Sequence, residues 1–137
     1  MDDVDVVEVL RRTDLFADVG SKELKTIAKQ AKVVQHRAGA EIAQEGGGAA
    51  AFHVIVAGAA SVNVLGRARP ELGAGNYFGE IALIDGKPRS ATVVATSPLT
   101  TVALASWDFR PILRAEPGVA VGLLKVMCDR LRAAESS

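Results

Sequence analysis

A single cysteine, Cys128, stands among 137 residues. No internal disulfide can form, which sets aside the small disulfide-stapled scaffolds of secreted proteins. Neither sign of charge dominates, since sixteen basic residues balance sixteen acidic ones. Without a basic excess nothing draws in nucleic acid or an anionic membrane, and neither is expected as a direct partner. No apolar run approaches the length of a membrane span. The opening residues, Met1-Asp2-Asp3-Val4-Asp5, are acidic and lack the basic-then-apolar order of a signal peptide. The expected location is therefore cytoplasmic. There is no internal repeat and no long low-complexity segment. What is present is an ordinary globular composition, 49% apolar and 23% charged, in a length that fits one domain over residues 1–137.

Two amphipathic helices are expected first. Val4, Val7 and Leu10 have helical spacing, and Thr13 or Asp14 can cap the turn that follows. Ser21 is the expected N-cap of a second helix with Leu24, Ile27, Ala28 and Ala31 inward and Lys22, Lys25 and Lys29 in water. From Val33 the pattern changes to short strands: 33–37, 41–44, 52–56, 60–65, 89–95 and 100–104. Glu45 to Gly48 is read as a sheet corner, because it lacks the Lys-Ser/Thr of a nucleotide-hydrolase loop. Gly66 to Pro70 is read as a short polar connection. Strands at this spacing predict a small β-barrel or jelly roll. Ser106 is the expected cap of a following helix, in whose first turns Pro111 is tolerable. Pro117 then starts a final helix with Val119, Leu123, Leu124, Met127 and Leu131 apolar and with Lys125, Arg130 and Arg132 toward its end.

The chemistry concentrates in Phe78-Gly79-Glu80-Ile81-Ala82-Leu83-Ile84-Asp85-Gly86-Lys87-Pro88-Arg89-Ser90-Ala91-Thr92-Val93. Gly79 would let a backbone approach a ligand closely. A short helix beginning after it would aim free N–H groups at an anion. Asp85 to Pro88 has turn chemistry and can bring Arg89 back beside Glu80. A guanidinium fork, N–H donors and the Ser90 hydroxyl suit a phosphate. A carboxylate would repel that phosphate, so Glu80 suits a ribose hydroxyl instead.

In order and spacing this segment resembles the phosphate-binding cassette of the cyclic nucleotide-binding domain family, as in catabolite activator proteins and protein kinase A regulatory subunits. The pattern is an apolar residue, Gly-Glu, apolar, small, apolar, a short spacer, then Arg, Ser/Thr/Ala and Ala. It is matched by Phe78 to Leu83 and by Arg89-Ser90-Ala91. The glycines at 58 and 75 follow the family's rhythm, and the resemblance covers nearly the whole chain. It implies an α+β fold, an eight-stranded β-roll or jelly roll with N-terminal and C-terminal helices. It implies a ligand set of Phe78, Gly79, Glu80, Ile81, Ala82, Arg89, Ser90 and Ala91, and C-terminal helices that close over the base; the final helix, amphipathic and joined by the hinge-like Glu116-Pro117-Gly118, is expected to move on binding. Val62 and Leu72, in the strands before Gly79, are candidates for an apolar base wall. Such a wall favours cAMP over cGMP, because guanine's polar edge would be left without partners. Serine at position 90 points the same way, since threonine there often accompanies cGMP selectivity in the family.

The chain departs from the family in a short connection before the cassette and in a last helix that ends early. Ala134 and Glu135 fall where catabolite activators, which dimerise through this helix, supply hydroxyls to adenine. Their DNA-reading helix-turn-helix is not in this sequence. A homodimer is compatible with the resemblance, and the effector protein is not named by it. Two rival readings share the fold: a protein-interaction module with weak or no nucleotide binding, and the regulatory piece of a longer enzyme, channel or transcription factor. An enzyme is not expected, because no catalytic constellation or nucleophile elbow is present. Cys128 is placed beside Leu124 and Leu131 as a core residue, and Trp107 and Phe109 as core anchors. His36 and His53 have no metal partners at ligand spacing.

Overall fold

The computed structural model describes residues 4–43, 51–85, 87 and 91–136. Helix α1, Val6–Arg11, begins where Asp5 accepts a hydrogen bond from the Glu8 N–H at 3.1 Å. A 3-10 turn, Asp14–Phe16, follows, and then α2, Ser21–Gln30. Thr13 occupies the cap position of the turn, but its hydroxyl donates back to the Leu10 carbonyl at 2.7 Å. Ser21 is not the cap expected from sequence. Gly20 stays extended and its carbonyl already accepts from Leu24, so Ser21 is the first helical residue. On α2, Leu24 and Ile27 are buried while Lys22, Lys25 and Lys29 are exposed, as the periodicity predicts.

Eight strands follow among the described residues: β1 Lys32–His36, β2 Glu41–Ala43, β3 Ala51–Ala57, β4 Ala60–Val64, β5 Arg67–Leu72, β6 Tyr77–Phe78, β7 Thr92–Ala95 and β8 Leu99–Ala105. They form two antiparallel four-stranded sheets, ordered β1-β8-β3-β6 and β2-β7-β4-β5, and not a closed barrel. The glycine-rich Glu45–Gly48 stretch lies outside the described residues. Gly66 to Pro70 is not a plain connection. Leu65 and Gly66 both take positive φ and turn the chain directly into β5. This strand lacks an apolar alternation because it is an exposed edge, where charges and Pro70 are tolerated.

Two further helices close the chain, with a short one, α3 Glu80–Asp85, between β6 and β7. Helix α4, Ser106–Ala115, starts straight from β8, whose pairing runs to Ala105; Ser106 is therefore the first helical residue and not a cap. Pro111 falls in the second turn and forgoes the bond to the carbonyl four residues back. Helix α5 runs Pro117–Glu135 after a break at Glu116. Trp107 is 65% exposed, so only Phe109 of that pair anchors the core. Its neighbours on the helix take the inward face, leaving position 107 outward at a spacing of two.

Phe16 joins the layers. Its ring meets Phe52 of β3 edge-on at 5.7 Å and Phe109 of α4 at 6.1 Å, and all three are fully buried. Phe16→Ala is expected to destabilise the chain by about 3–5 kcal/mol, since three elements lose one shared neighbour. Urea denaturation of the two proteins measures it, and a loss below about 1 kcal/mol would show that the junction repacks.

Candidate functional site

The cassette hangs from β6. His53 of β3 pairs with Phe78, and Gly79 then takes φ +85 to leave the sheet. A Cβ on Gly79 would run into the carbonyl oxygen of Ala51. The glycine is thus required by the protein's own backbone, whatever approaches from outside. Helix α3 follows at once, and Leu83 both donates to the Gly79 carbonyl at 3.0 Å and buries its side chain in the core. Ile81 on the same helix is 59% exposed. The expected turn is present in part: Asp85 accepts from the Lys87 N–H at 2.9 Å. Ala82 lies within α3, and Ala91 is half-buried just before β7. Gly86, Pro88, Arg89 and Ser90 lie outside the described residues, and with them the expected return of Arg89 toward Glu80.

Val62 and Leu72 are brought together. Both pack on one cluster between the sheets, formed by Ile55, Ala60, Phe78, Val93, Ala95 and Leu99. The face expected to receive a base is therefore apolar and continuous with the residue that begins the cassette. Two histidines border it. His53 stacks on Phe78 at 5.0 Å, and its Nδ1 shares the Thr101 hydroxyl with His36 Nε2, each at 3.0 Å. Burial lowers the pKa of His36. No group of three or more His, Cys, Asp or Glu that could hold a metal gathers among the described residues.

The sequence reading missed what surrounds Glu80. Arg130, far along α5, places Nη1 3.9 Å from Glu80 Oε1. Its Nη2 donates to the Tyr77 hydroxyl, and that hydroxyl donates to Asp14 of the 3-10 turn. Arg130 also lies over the Tyr77 ring, 5.6 Å from its centre. Arg130 and Asp14 carry no local pattern; only the docking of α5 and the 3-10 turn brings them to the cassette. Burial pushes the Glu80 carboxyl above its ordinary range; its own N–H and Arg130 oppose that, and Asp14 adds to it. Tyr77 is raised well above its ordinary value, by burial first and then by its bond to Asp14.

One expectation about α5 is overturned. Cys128 is exposed, and Leu124 and Leu131 are each 63% exposed, so none belongs to the core. The helix buries the expected Val119 and Leu123 together with Gly122 and Val126, a stripe rotated away from Leu124, Cys128 and Leu131.

Comparison with known proteins decides what frame this site belongs to. Residues 33–116 match the model of the cyclic nucleotide-binding domain. The chain belongs to the cyclic nucleotide-binding domain family. This is a family of regulatory ligand-binding domains, typically non-enzymatic. A cyclic nucleotide-gated potassium channel of Rhizobium etli is 36% identical over 124 residues, which is 90% of this chain and 34% of the channel. The chain thus spans about a third of the length of the curated relatives it matches. Among solved structures, the N-terminal domain of a Streptomyces coelicolor transcriptional regulator is 27% identical, with 93% of each chain covered and a TM-score of 0.81. Thermus thermophilus catabolite activator protein is 28% identical over 90% of this chain and 60% of its own, with a TM-score of 0.73. No helix among the described residues is long and apolar enough to cross a membrane.

In this domain the raised Glu80 has a definite sign. Its folded pKa lies above the ordinary 4.5, so the folded state keeps the proton longer than the unfolded chain does. Its contribution to stability is therefore greatest in acid and declines as pH rises from about 4.5 through the folded value. Glu80→Gln is expected to flatten that decline and to raise the ligand-free melting temperature at neutral pH. Paired thermal melts across the range check this; a variant that melts lower than the parent at neutral pH would show that the Arg130 pair outweighs burial.

Proposed function

We propose that this domain is a cyclic nucleotide sensor that prefers cAMP to cGMP and reports binding through movement of α5. The sensor is one domain, 1–137, that binds its ligand without catalysing a step. The observation that carries it is the ordered cassette, Phe78 to Leu83 with Arg89-Ser90-Ala91, in a chain whose α3 starts directly behind Gly79 at Glu80. Arg89 grips the cyclic phosphate, assisted by Ser90 and the N–H groups near Ala82 and Ala91. Glu80 accepts from the ribose 2′-hydroxyl. Phe78, Gly79 and Ile81 shape the cassette, while Val62 and Leu72 form the base wall. That wall accepts adenine without stranding a donor, whereas guanine's amino group and carbonyl would go unpaired.

Movement of α5 is supported by Arg130, which leans on the carboxylate assigned to the ribose. A ligand that bonds Glu80 changes what holds that helix, and so shifts its population of positions. Val121, Leu124, Cys128 and Leu131 form an exposed stripe with the 3-4-3 spacing of a coiled-coil seam, which fits a homodimer through α5. The potassium-channel and transcriptional-regulator relatives supply two kinds of protein in which such a unit would act.

Calorimetric titration tests the ligand. Arg89→Ala is expected to cost roughly 2–4 kcal/mol of cAMP affinity, as for removal of one partner of a desolvated charged pair. Binding equal to the parent's would end the assignment. In competition, cGMP is expected to bind several-fold more weakly, and Ser90→Thr to narrow the gap; cGMP matching cAMP would remove the base-wall reading. Hydrogen exchange across residues 123–131 is expected to change with saturating cAMP, and an unchanged profile would end the claim of movement.

A further inference from the structure

We infer that Tyr77 is a positioning residue whose hydroxyl couples the N-terminal 3-10 turn to the far half of α5 by seating Arg130. Three segments distant in sequence meet on that oxygen. Asp14 is 63 residues from Tyr77, and Arg130 is 53 residues away on the other side. The polarity is consistent along the row: the guanidinium donates to the phenol, and the phenol donates to the carboxylate. One hydroxyl proton serves one bond, and an oxygen lone pair serves the other. Among the described residues no ion pair joins Asp14 to Arg130, so the two charges communicate through the phenol.

The burial pattern of α5 gives this row its weight. Every buried residue of the helix lies at or before Val126. Gly122 sits against the Asp18 carbonyl, where a Cβ would come within 3.0 Å, so the front half is fixed by packing on the segment after the 3-10 turn. Among the described residues beyond Val126 only Met127 and Arg130 are partly buried, and residues 131–136 are exposed. Eight residues past Gly122, about 12 Å along the axis, Arg130 is the side chain that ties the far half down. Tyr77 is placed to receive it, since its ring is wedged against Phe52 at a centroid distance of 5.3 Å at the end of β6. The same guanidinium meets Glu80, so a change at Asp14 reaches the cassette as well as the helix.

This coupling holds in the chain without nucleotide, and its test needs none. Backbone hydrogen exchange is measured over residues 124–131 in the parent, Asp14→Ala, Tyr77→Phe and the double variant. Tyr77→Phe keeps the ring and removes only the hydroxyl. Asp14→Ala alters an exposed residue on a different element and leaves the ring and Arg130 in place. Each single variant is expected to speed exchange in this window several-fold, and the double variant to match Tyr77→Phe alone. Asp14→Ala exchanging like the parent would overturn the inference, as would effects that multiply independently in the double variant. Should Tyr77→Phe prove poorly folded, the cycle of Asp14→Ala with Arg130→Gln decides by the same criterion. Non-additive effects on the window support the coupling, and additive ones refute it.

Discussion

Strands β3 and β8 are buried on both faces, and the rest of the structure depends on that. Along β3, Phe52 and Val54 join the core beneath the helices, while Ile55 joins the core between the sheets. On β8, Val102 and Leu104 face the helices, and Leu99 faces the other sheet. Two cores therefore share one pair of strands, whose register is set by facing residues such as Phe52 with Leu104 and Val54 with Val102. A one-residue slip would exchange the two cores outright, so the register is strongly specified. Since β6 pairs with β3 and Gly79 presses on the Ala51 carbonyl, the cassette inherits its position from the same strand.

How much of this was legible follows from the range of each signal. Elements with local periodicity, such as α2 with Leu24 and Ile27 inward, could be read directly. The two caps were misplaced by one residue, because serine's preference for the cap was weaker than the extended geometry handed on by Gly20 and Ala105. Strand β5 was missed because an exposed edge imposes no apolar alternation. The stripe on α5 was read correctly at Val119 and Leu123 but not at Leu124, Cys128 and Leu131, because its apolar residues exceed what one face can bury. Val119, Leu123 and Val126 compete with Leu124, Cys128 and Leu131, and tertiary packing on the core, including Gly122 against the Asp18 carbonyl, selects between them.

The candidate site divides along the same line. The cassette is contiguous, so its order and spacing were visible at once, and Val62 and Leu72 could be placed from strand positions. The partners of Glu80 come from opposite ends of the chain and leave no trace in local pattern. They alter the physics of that carboxylate, because a desolvated acid beside a partly exposed guanidinium is neither a plain buried charge nor a stable ion pair. The pair at 3.9 Å is long for a direct hydrogen bond, so the two charges meet as a loose ion pair.

Helix α5 is held in two different ways along its length. The break at Glu116 separates it from α4, and the carbonyl of Ile112 takes the Glu116 N–H to finish the earlier helix. Its front half is committed to the core through Val119, Leu123 and Val126, whereas its back half has little apolar burial to hold it. Segments with few buried contacts open at low free-energy cost, while those in the core open only with the whole domain. One helix thus spans both regimes, and the change occurs just before Arg130. A polar attachment at that point is readily exchanged for another, because hydrogen bonds can be replaced by a ligand or by water at little net cost, whereas lost packing cannot. With an arginine and not a leucine at position 130, the far half of α5 is attached by polar contacts to Tyr77 and Glu80 and not by apolar packing.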